Sequence, residues 1–368
     1  MPRVACLLVN YRGALDVIEA ARAALADAPG LPVVVVDNSE CPQEVAALRQ
    51  ALPPGVLLLV APHNLGFGAA CNWAASQVSA EFYWLVNPDV RVRPGCLEQL
   101  LKAMDADATL GAVAPRQYLD EAGEWLFSPS WLPTALGTWA RERVERWGHG
   151  SRQRVRHGRA VRAENLRAWA GHGELVVPQR ALSGAAVLVR RACFHPVHGL
   201  FDPAYFMYFE DSDMCLRLRR TGWRMALSPQ AEVVHLWRMG GHKQGLMAEA
   251  APVYYAKNFP GSPWLARAER MACLPVQRLA DDVPRWLAGK QWDVPVAWQG
   301  GWSLELSPLP LFLPCVGRLG VGASVAWPTA VVEAMEGTAV FARLGPLDTR
   351  LGPPQVFSLG QAMGGHEG

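Results

Sequence analysis

The sequence predicts an α/β protein, a doubly wound and mostly parallel sheet followed by a small all-β domain. Three observations carry that expectation. Short, nearly unbroken apolar runs alternate with helical patterns from Ala5 to Asp89. Each run closes on a polar residue. From about Gln291 the texture changes to short apolar pieces separated by Gly and Pro.

The elements follow in order. "ACLLVNY" precedes an Ala-rich helix near Leu15–Ala28, and "PVVVVDNS" precedes a helix near Gln43–Leu52. "VLLLVAPHN" leads to a helix from about Ala69 to Ser79, and "EFYWLVNPD" is the fourth strand. Continuous Val/Leu runs spaced by helices belong to parallel sheets covered on both faces, with right-handed connections. Asn10, Asp37, Asn64 and Asp89 lie at the C-terminal ends of these four strands. Ligands bind at that edge of open α/β sheets. Turn chemistry accounts for one Asn or Asp per loop, but four in register favour a shared site.

Past Pro115 the pattern loosens into an arginine-rich stretch, Trp139–Trp169, with tryptophans at 139, 147 and 169. Its arginines at 141, 143, 146, 152, 154, 156, 159, 162 and 167 face only Glu142, Glu145 and Glu164. Such a run reads either as a solvated helical excursion or as a basic face for an anionic membrane or lipid-diphosphate acceptor, which the interleaved tryptophans suit. Regular structure resumes at "LSGAAVLVRR" and continues to "AEVVHLW". A helical linker follows Pro260, and then "VPVAW", "WSLELS", "PLFLPCVGRLG", "TAVFARLG" and "PQVFSLG" read as strands. The expected division is 1–258 catalytic, 259–290 linker and 291–368 β-rich, with "MGGHEG" frayed at the end. Trp292, Trp298, Trp302 and Trp327 read as core or self-association residues in preference to a sugar platform.

Composition sets outer limits. A chain of 368 residues, 51% hydrophobic and 18% charged, has a sizeable core. A net charge of +2 supplies no bulk field for nucleic acid. Eight cysteines without a CxxC pair suggest reduced, buried thiols and a cytoplasmic setting. The first apolar run breaks too early for a signal peptide, and no apolar run approaches the roughly 18 residues of a membrane span.

Four stretches carry chemistry. In "HNLGFGAACNWAA", Gly66 and Gly68 permit close backbone approach to a ligand, and the following helix offers its N-terminus to an anion. The stretch follows the third strand and lacks a dinucleotide fingerprint. In "VNPDV", Asp89 is either an Asx-turn acid or an oxygen ligand for a hard cation. His235 in "VVHLW" is either a buried, satisfied histidine or a functional one. "FMYFEDSDMCLRLRRTGW" carries Glu210, Asp211 and Asp213 out of an aromatic run into a helix start, where acids complement the macrodipole.

The ordered set "VNYRG", "VVDNS", "NLGFGAACN", "VNPDV", "SGAAVLVRR", "FEDSDMCLR" and "VVH" resembles the inverting family 2 glycosyltransferases of the A-type (GT-A) fold, above all the rhamnosyltransferase-like branch. The resemblance covers roughly residues 3–240. It implies transfer of a sugar from a nucleoside-diphosphate-sugar, dTDP- or UDP-linked, to a glycan or lipid-linked acceptor in surface-polysaccharide synthesis. It places the general base at Asp211, with Glu210 on sugar hydroxyls and Asp213 capping the helix or orienting its neighbours. Asp37 and Asn10 would meet base and ribose, and Asn64, Gly66, Phe67, Gly68 and Asn72 would shape the nucleotide pocket. Gly184 would admit the donor sugar, with Arg190 and Arg191 as solvated charges or phosphate contacts. Asp89 and His235 would hold Mn2+ or Mg2+ at the diphosphate. The family's metal motif often shows D-x-D, where this chain has Asn87-Pro88-Asp89. The resemblance also allows peripheral contact with the inner membrane face through 139–169 and self-association through the C-terminal domain. Competing readings are an inactive sugar- or nucleotide-binding relative and a sugar-phosphate nucleotidyltransferase. The latter normally shows a Gly-rich, Arg-containing loop where "VNYRGALD" stands.

Overall fold

The computed structural model describes residues 2–146, 152–171, 173–236, 241–274, 283–334 and 341–360. Trp147, the side chain of Arg152, part of the expected linker (275–282) and the expected frayed end lie outside the described residues. The chain runs β1 (Val4–Asn10), α1 (Ala14–Asp27), β2 (Val33–Asp37), α2 (Pro42–Ala51), β3 (Leu57–Val60), α3 (Phe67–Gln77), β4 (Phe82–Val86), β5 (Val90–Val92), α4 (Cys96–Ala106) and β6 (Leu110–Tyr118). It continues through β7 (Leu126–Phe127), α5 (Ala135–Glu145), α6 (Arg152–Ala170), β8 (Val177–Gln179), β9 (Ala186–Arg190), α7 (Glu210–Arg220), β10 (Arg224–His235), α8 (Gly241–Asn258) and α9 (Pro263–Ala272). The last elements are β11 (Arg285–Leu287), β12 (Trp292–Asp293), β13 (Trp302–Ser307), β14 (Val316–Gly320), β15 (Ser324–Val325), α10 (Thr329–Ala334), β16 (Phe341–Pro346) and β17 (Gln355–Gly360).

Contacts divide the chain into two units. The first comprises 1–123, 130–132 and 171–261. Its first four strands are parallel in the order β3-β2-β1-β4, with Asn10 level with Asp37, and Asp37 level with Val60. That register puts the polar strand ends on one edge. Beyond β4 the sheet is mixed. Strand β9 runs antiparallel between β4 and β6, β10 lies parallel to β6, and β5 and β8 pair antiparallel with β10. All seven residues of β1 are buried. Alternate residues face opposite layers: Cys6 and Leu8 pack with Val17 of α1 and Leu100 of α4, while Leu7 and Val9 pack with Ala70 of α3 and Met214 of α7. Coverage on both faces is what makes the runs continuous rather than alternating. Strand β3 is the outermost of this order, and its Leu57 and Val60 are exposed.

The second unit comprises 124–129, 133–170 and 262–368, so the arginine-rich stretch belongs with the C-terminal strands and not with the segment before 258. Its sheet runs β11-β17-β16-β13-β14-β7, antiparallel except for β11 with β17. Two expected strands differ. Val296–Trp298 of "VPVAW" is a 3-10 turn after Pro295, and "PLFLPCVGRLG" is a strand only from Val316. Trp298 and Trp302 are buried, and Trp292 and Trp327 pack around buried Trp286.

Helix α6 is held by a buried charge cluster. The guanidinium of Arg343 donates to both oxygens of Glu305 at 2.5 and 2.6 Å, and Asn165 donates to the same carboxylate at 2.9 Å. Arg162 lies 3.7 Å from Glu305 and donates to Ser303 Oγ and the Pro346 carbonyl. Burial holds the Arg162 guanidinium down to about 10, against the pull of Glu305. The solvated-excursion reading therefore fails for Arg162 and for Arg154, which are 3% and 4% exposed. Arg156, Arg159 and Arg167 remain exposed on the other face of the helix.

Candidate active site

The polar strand ends form a network, and most of its atoms serve each other. Asn10 is fully buried. It donates to Asp37 Oδ1 at 2.7 Å and to Glu44 Oε2 at 3.0 Å, and accepts from the Gly13 amide. Ser39 Oγ also donates to Asp37 Oδ1. Asn10 thus orients the Asp37 carboxylate from beneath. The neighbour Asn38, not singled out from the sequence, bridges two strand ends. Its Nδ2 donates to Asn64 Oδ1 and the Gly66 carbonyl, and its Oδ1 accepts from the Leu65 amide. An Asn after an Asp in a turn carries no local signal beyond turn chemistry.

The glycines are explained by packing within the protein. Gly66 has φ +79°, and a Cβ there would stand 2.2 Å from the Phe206 carbonyl oxygen, which accepts from the Phe67 amide. A Cβ on Gly68 would stand 2.9 Å from the Phe201 side chain. The close approach expected of a ligand is made by the segment leading to the acid cluster. Asn72 pins the same segment, donating to the His198 and Phe201 carbonyls and accepting from the Leu200 and Phe201 amides. Gly184 differs: a Cβ there would meet only ordinary contacts, 3.5 Å from Phe67 and 3.7 Å from Asp211. Arg190 spends its guanidinium on the Leu110 and Met104 carbonyls, and Arg191 bonds Ser79.

The acids enter α7 through a strained turn. Tyr208 and Phe209 both have positive φ, +68° and +65°, a conformation costing about 1–2 kcal/mol per non-glycine residue. Around them the segment is fastened at several points. Asp213 Oδ1 accepts from Tyr205 Oη at 3.1 Å, Lys257 Nζ at 2.8 Å and Asn258 Nδ2 at 2.8 Å. Asp213 therefore orients its neighbours. Phe209 packs against Tyr254 and Tyr255.

The remaining two acids are set apart by their surroundings. Glu210 is 6% exposed, and its Oε2 has no hydrogen-bond partner. Burial and then the Asp211 charge push its carboxyl up to about 8. Asp211 is half-buried. Its Oδ1 accepts from the Ser212 amide at 2.6 Å, while Oδ2 faces the Gly184 amide at a long 3.4 Å. Burial raises Asp211 too, but those amides favour its ionised form. Both carboxyls are raised, and at Asp211 the Ser212 and Gly184 amides offset part of the effect of burial, so the two acids of the pair sit in unequal surroundings, as acid–base sites require.

Asp89 and His235 meet across β5 and β10. Val90 pairs with His235 and the Leu236 amide donates to the Asp89 carbonyl, bringing His235 Nε2 to 3.5 Å from Asp89 Oδ2. Nearby in sequence, the buried Asn87 Oδ1 lacks a donor. Among the described residues no third His, Cys, Asp or Glu joins the pair. The phenol of Tyr208 is raised by burial and by the charges of Glu210 and Asp89, so the acid pair and Asp89 border one region. The eight cysteines are all free thiols, six of them buried. No helix among the described residues is long and apolar enough to cross a membrane.

Residues 10–168 match the family model described as "Glycosyl transferase family 2". An N-acetylglucosaminyl-diphospho-decaprenol L-rhamnosyltransferase of Mycobacterium tuberculosis is 31% identical over 223 residues, 55% of this chain and 66% of that protein. The chain thus spans just under two thirds of that relative. The O-antigen biosynthesis protein RfbC of Myxococcus xanthus is 24% identical over 204 residues, 55% of this chain and 14% of its own length. Among solved structures, the mannosyltransferase PcManGT from Pyrobaculum calidifontis, in complex with GDP-Man and Mn2+, aligns over 76% of this chain and 78% of its own with TM-score 0.45 and 17% identity.

Proposed function

The chain belongs to glycosyl transferase family 2 through residues 10–168, and on that premise we propose that it transfers a sugar, with inversion, from a nucleoside-diphosphate-sugar to a hydroxyl of a glycan or lipid-linked acceptor in surface-polysaccharide synthesis. The observation that carries the reading is the acid pair at the start of α7, a buried Glu210 whose Oε2 has no hydrogen-bond partner beside an Asp211 that accepts from the Ser212 and Gly184 amides. Asp211 Oδ2, the more weakly bonded oxygen, takes the acceptor hydroxyl's proton as that oxygen attacks the anomeric carbon and the bond to the diphosphate breaks. Glu210, neutral, avoids placing a second charge beside the base. The name of the mycobacterial relative favours rhamnose as the sugar.

Asp37, Asn64 and Phe67 would wall the nucleotide pocket beside Gly184, with Asn10, Gly66, Gly68 and Asn72 acting through the groups they hold. Asp89 and His235 suit a divalent cation, because two acceptor atoms face one another at 3.5 Å when the imidazole is neutral. An oxygen and nitrogen set leans toward Mn2+ over Mg2+. When bound, the ion supplies Lewis-acid stabilisation of charge on the leaving diphosphate.

A panel of nucleotide-sugars with Mn2+ is expected to contain one that raises the melting temperature, as a ligand of the native state must. Excess chelator should abolish that shift and transfer alike, and Asp89→Ala and His235→Ala should each weaken it. Full activity in chelator with both variants unaffected would overturn the metal assignment, and no stabilising donor would overturn the function.

We further propose that Arg156, Arg159 and Arg167, exposed on α6, meet anionic lipid, at about 1 kcal/mol per basic residue near the surface. Reversing these three charges should abolish cosedimentation with anionic vesicles at low salt. Arg154 and Arg162 are unsuited to this test, being buried. Unchanged cosedimentation would remove the membrane role.

A further inference from the structure

We propose that Gln117 is a positioning residue for the cation site, holding His235 in the tautomer that presents Nε2 to the ion. The inference rests on the metal reading above and deepens it. Sheet register builds the arrangement. In the parallel pairing of β6 with β10, Gln117 is level with Val233, and His235 lies two residues on, on the same face of its strand. In the antiparallel pairing of β10 with β5, His235 is level with Val90, the residue after Asp89. Gln117 on β6, His235 on β10 and Asp89, just before β5, are thereby brought near one another.

The contacts follow that register. His235 Nδ1 is 3.0 Å from Gln117 Oε1. A carbonyl oxygen only accepts, so Nδ1 carries the hydrogen, and in the neutral ring Nε2 keeps its lone pair. That lone pair is turned toward Asp89 Oδ2, 3.5 Å away. With the imidazole neutral, two acceptors at that spacing favour a cation beside them, and the Gln117 bond keeps the ring from moving its proton to Nε2. Hydrogen bonds of this kind to a metal-binding histidine are worth 10–100-fold in metal affinity. Nothing local in "RQY" marks the residue, since its partner arrives from a strand 118 positions later.

The experiment is a Mn2+ titration of the full chain followed by electron paramagnetic resonance, with dTDP or UDP present and no acceptor. Gln117→Met, similar in size but without an acceptor, should weaken Mn2+ by about 10-fold or more. Gln117→Glu can still accept from Nδ1–H and should restore affinity to within about 3-fold of the parent, a rescue that loss of packing would not show. Affinity unchanged in Gln117→Met, or lost equally in Gln117→Glu, overturns the positioning role. Should Gln117→Met fail to fold, Gln117→Leu, which also lacks an acceptor, takes its place in the comparison with Gln117→Glu. A parent protein that binds no Mn2+, or binds it equally after Asp89→Ala, overturns the metal reading itself.

Discussion

Asp211→Asn should reduce sugar transfer by about 100-fold or more while donor binding stays near that of the parent. The amide keeps the size of the carboxylate but has no basic oxygen to accept the proton. The parent's rate should rise with pH through a transition above the ordinary aspartate range, because burial raises Asp211; the variant should lack that transition. Near-normal turnover on the true acceptor would show that another group is the base. Glu210→Gln supplies the matching control. The Glu210 carboxyl lies at about 8 in the folded protein against an ordinary 4.5, so between those values the native state holds a proton that the unfolded chain releases. Stability attributable to this group is therefore full below pH 4.5 and is lost as pH rises toward 8. Glutamine, always neutral, should flatten that decline in denaturation series from pH 5 to pH 9, and an unaltered slope would contradict a protonated Glu210.

Glu305→Gln should destabilise the protein by about 3–5 kcal/mol, the usual cost of removing one partner from a buried ion pair. Glu305 has no exposed surface, and among the described residues it is the carboxylate that balances Arg343 and Arg162, each 3% exposed. With a neutral amide in its place, two guanidiniums remain buried without a counter-charge. Replacing Glu305, Arg162 and Arg343 together by apolar residues should cost far less, since a buried ionic cluster is often no better than well-packed hydrophobics. Denaturant midpoints of the single and triple variants test both statements. A loss under about 1 kcal/mol in the single variant would mean that water or a neighbour reaches the cluster.

Much of the first unit was legible because its signals are local. Four apolar runs, each closed by a polar residue, give the parallel strands and the edge that carries the candidate site, and the acid cluster stands out against its aromatic lead. What stayed hidden depends on partners far along the chain. Gly66 and Gly68 announce close approach without saying to what, and Phe206 and Phe201 supply the answer. Asn72 looks like a pocket residue until its amide is seen spent on loop carbonyls. The arginines of α6 have the composition of a solvated face, and only Glu305 and the Pro346 carbonyl reveal that Arg162 points inward. Gln117 acquires meaning only through His235.

The interleaving of the second unit also bears on how the chain is made. Arg162 bonds Ser303, 141 residues later, and Pro346, 184 residues later. At about 5–20 residues per second of synthesis, helix α6 leaves the ribosome roughly ten seconds or more before the strands that cover it. During that interval Trp169, 1% exposed in the finished protein, waits with its apolar face uncovered, while segment 171–261 completes the first unit. A chain stopped at the end of the first unit would keep α5 and α6 without their sheet. Such a fragment would expose apolar surface that makes a chain prone to aggregation.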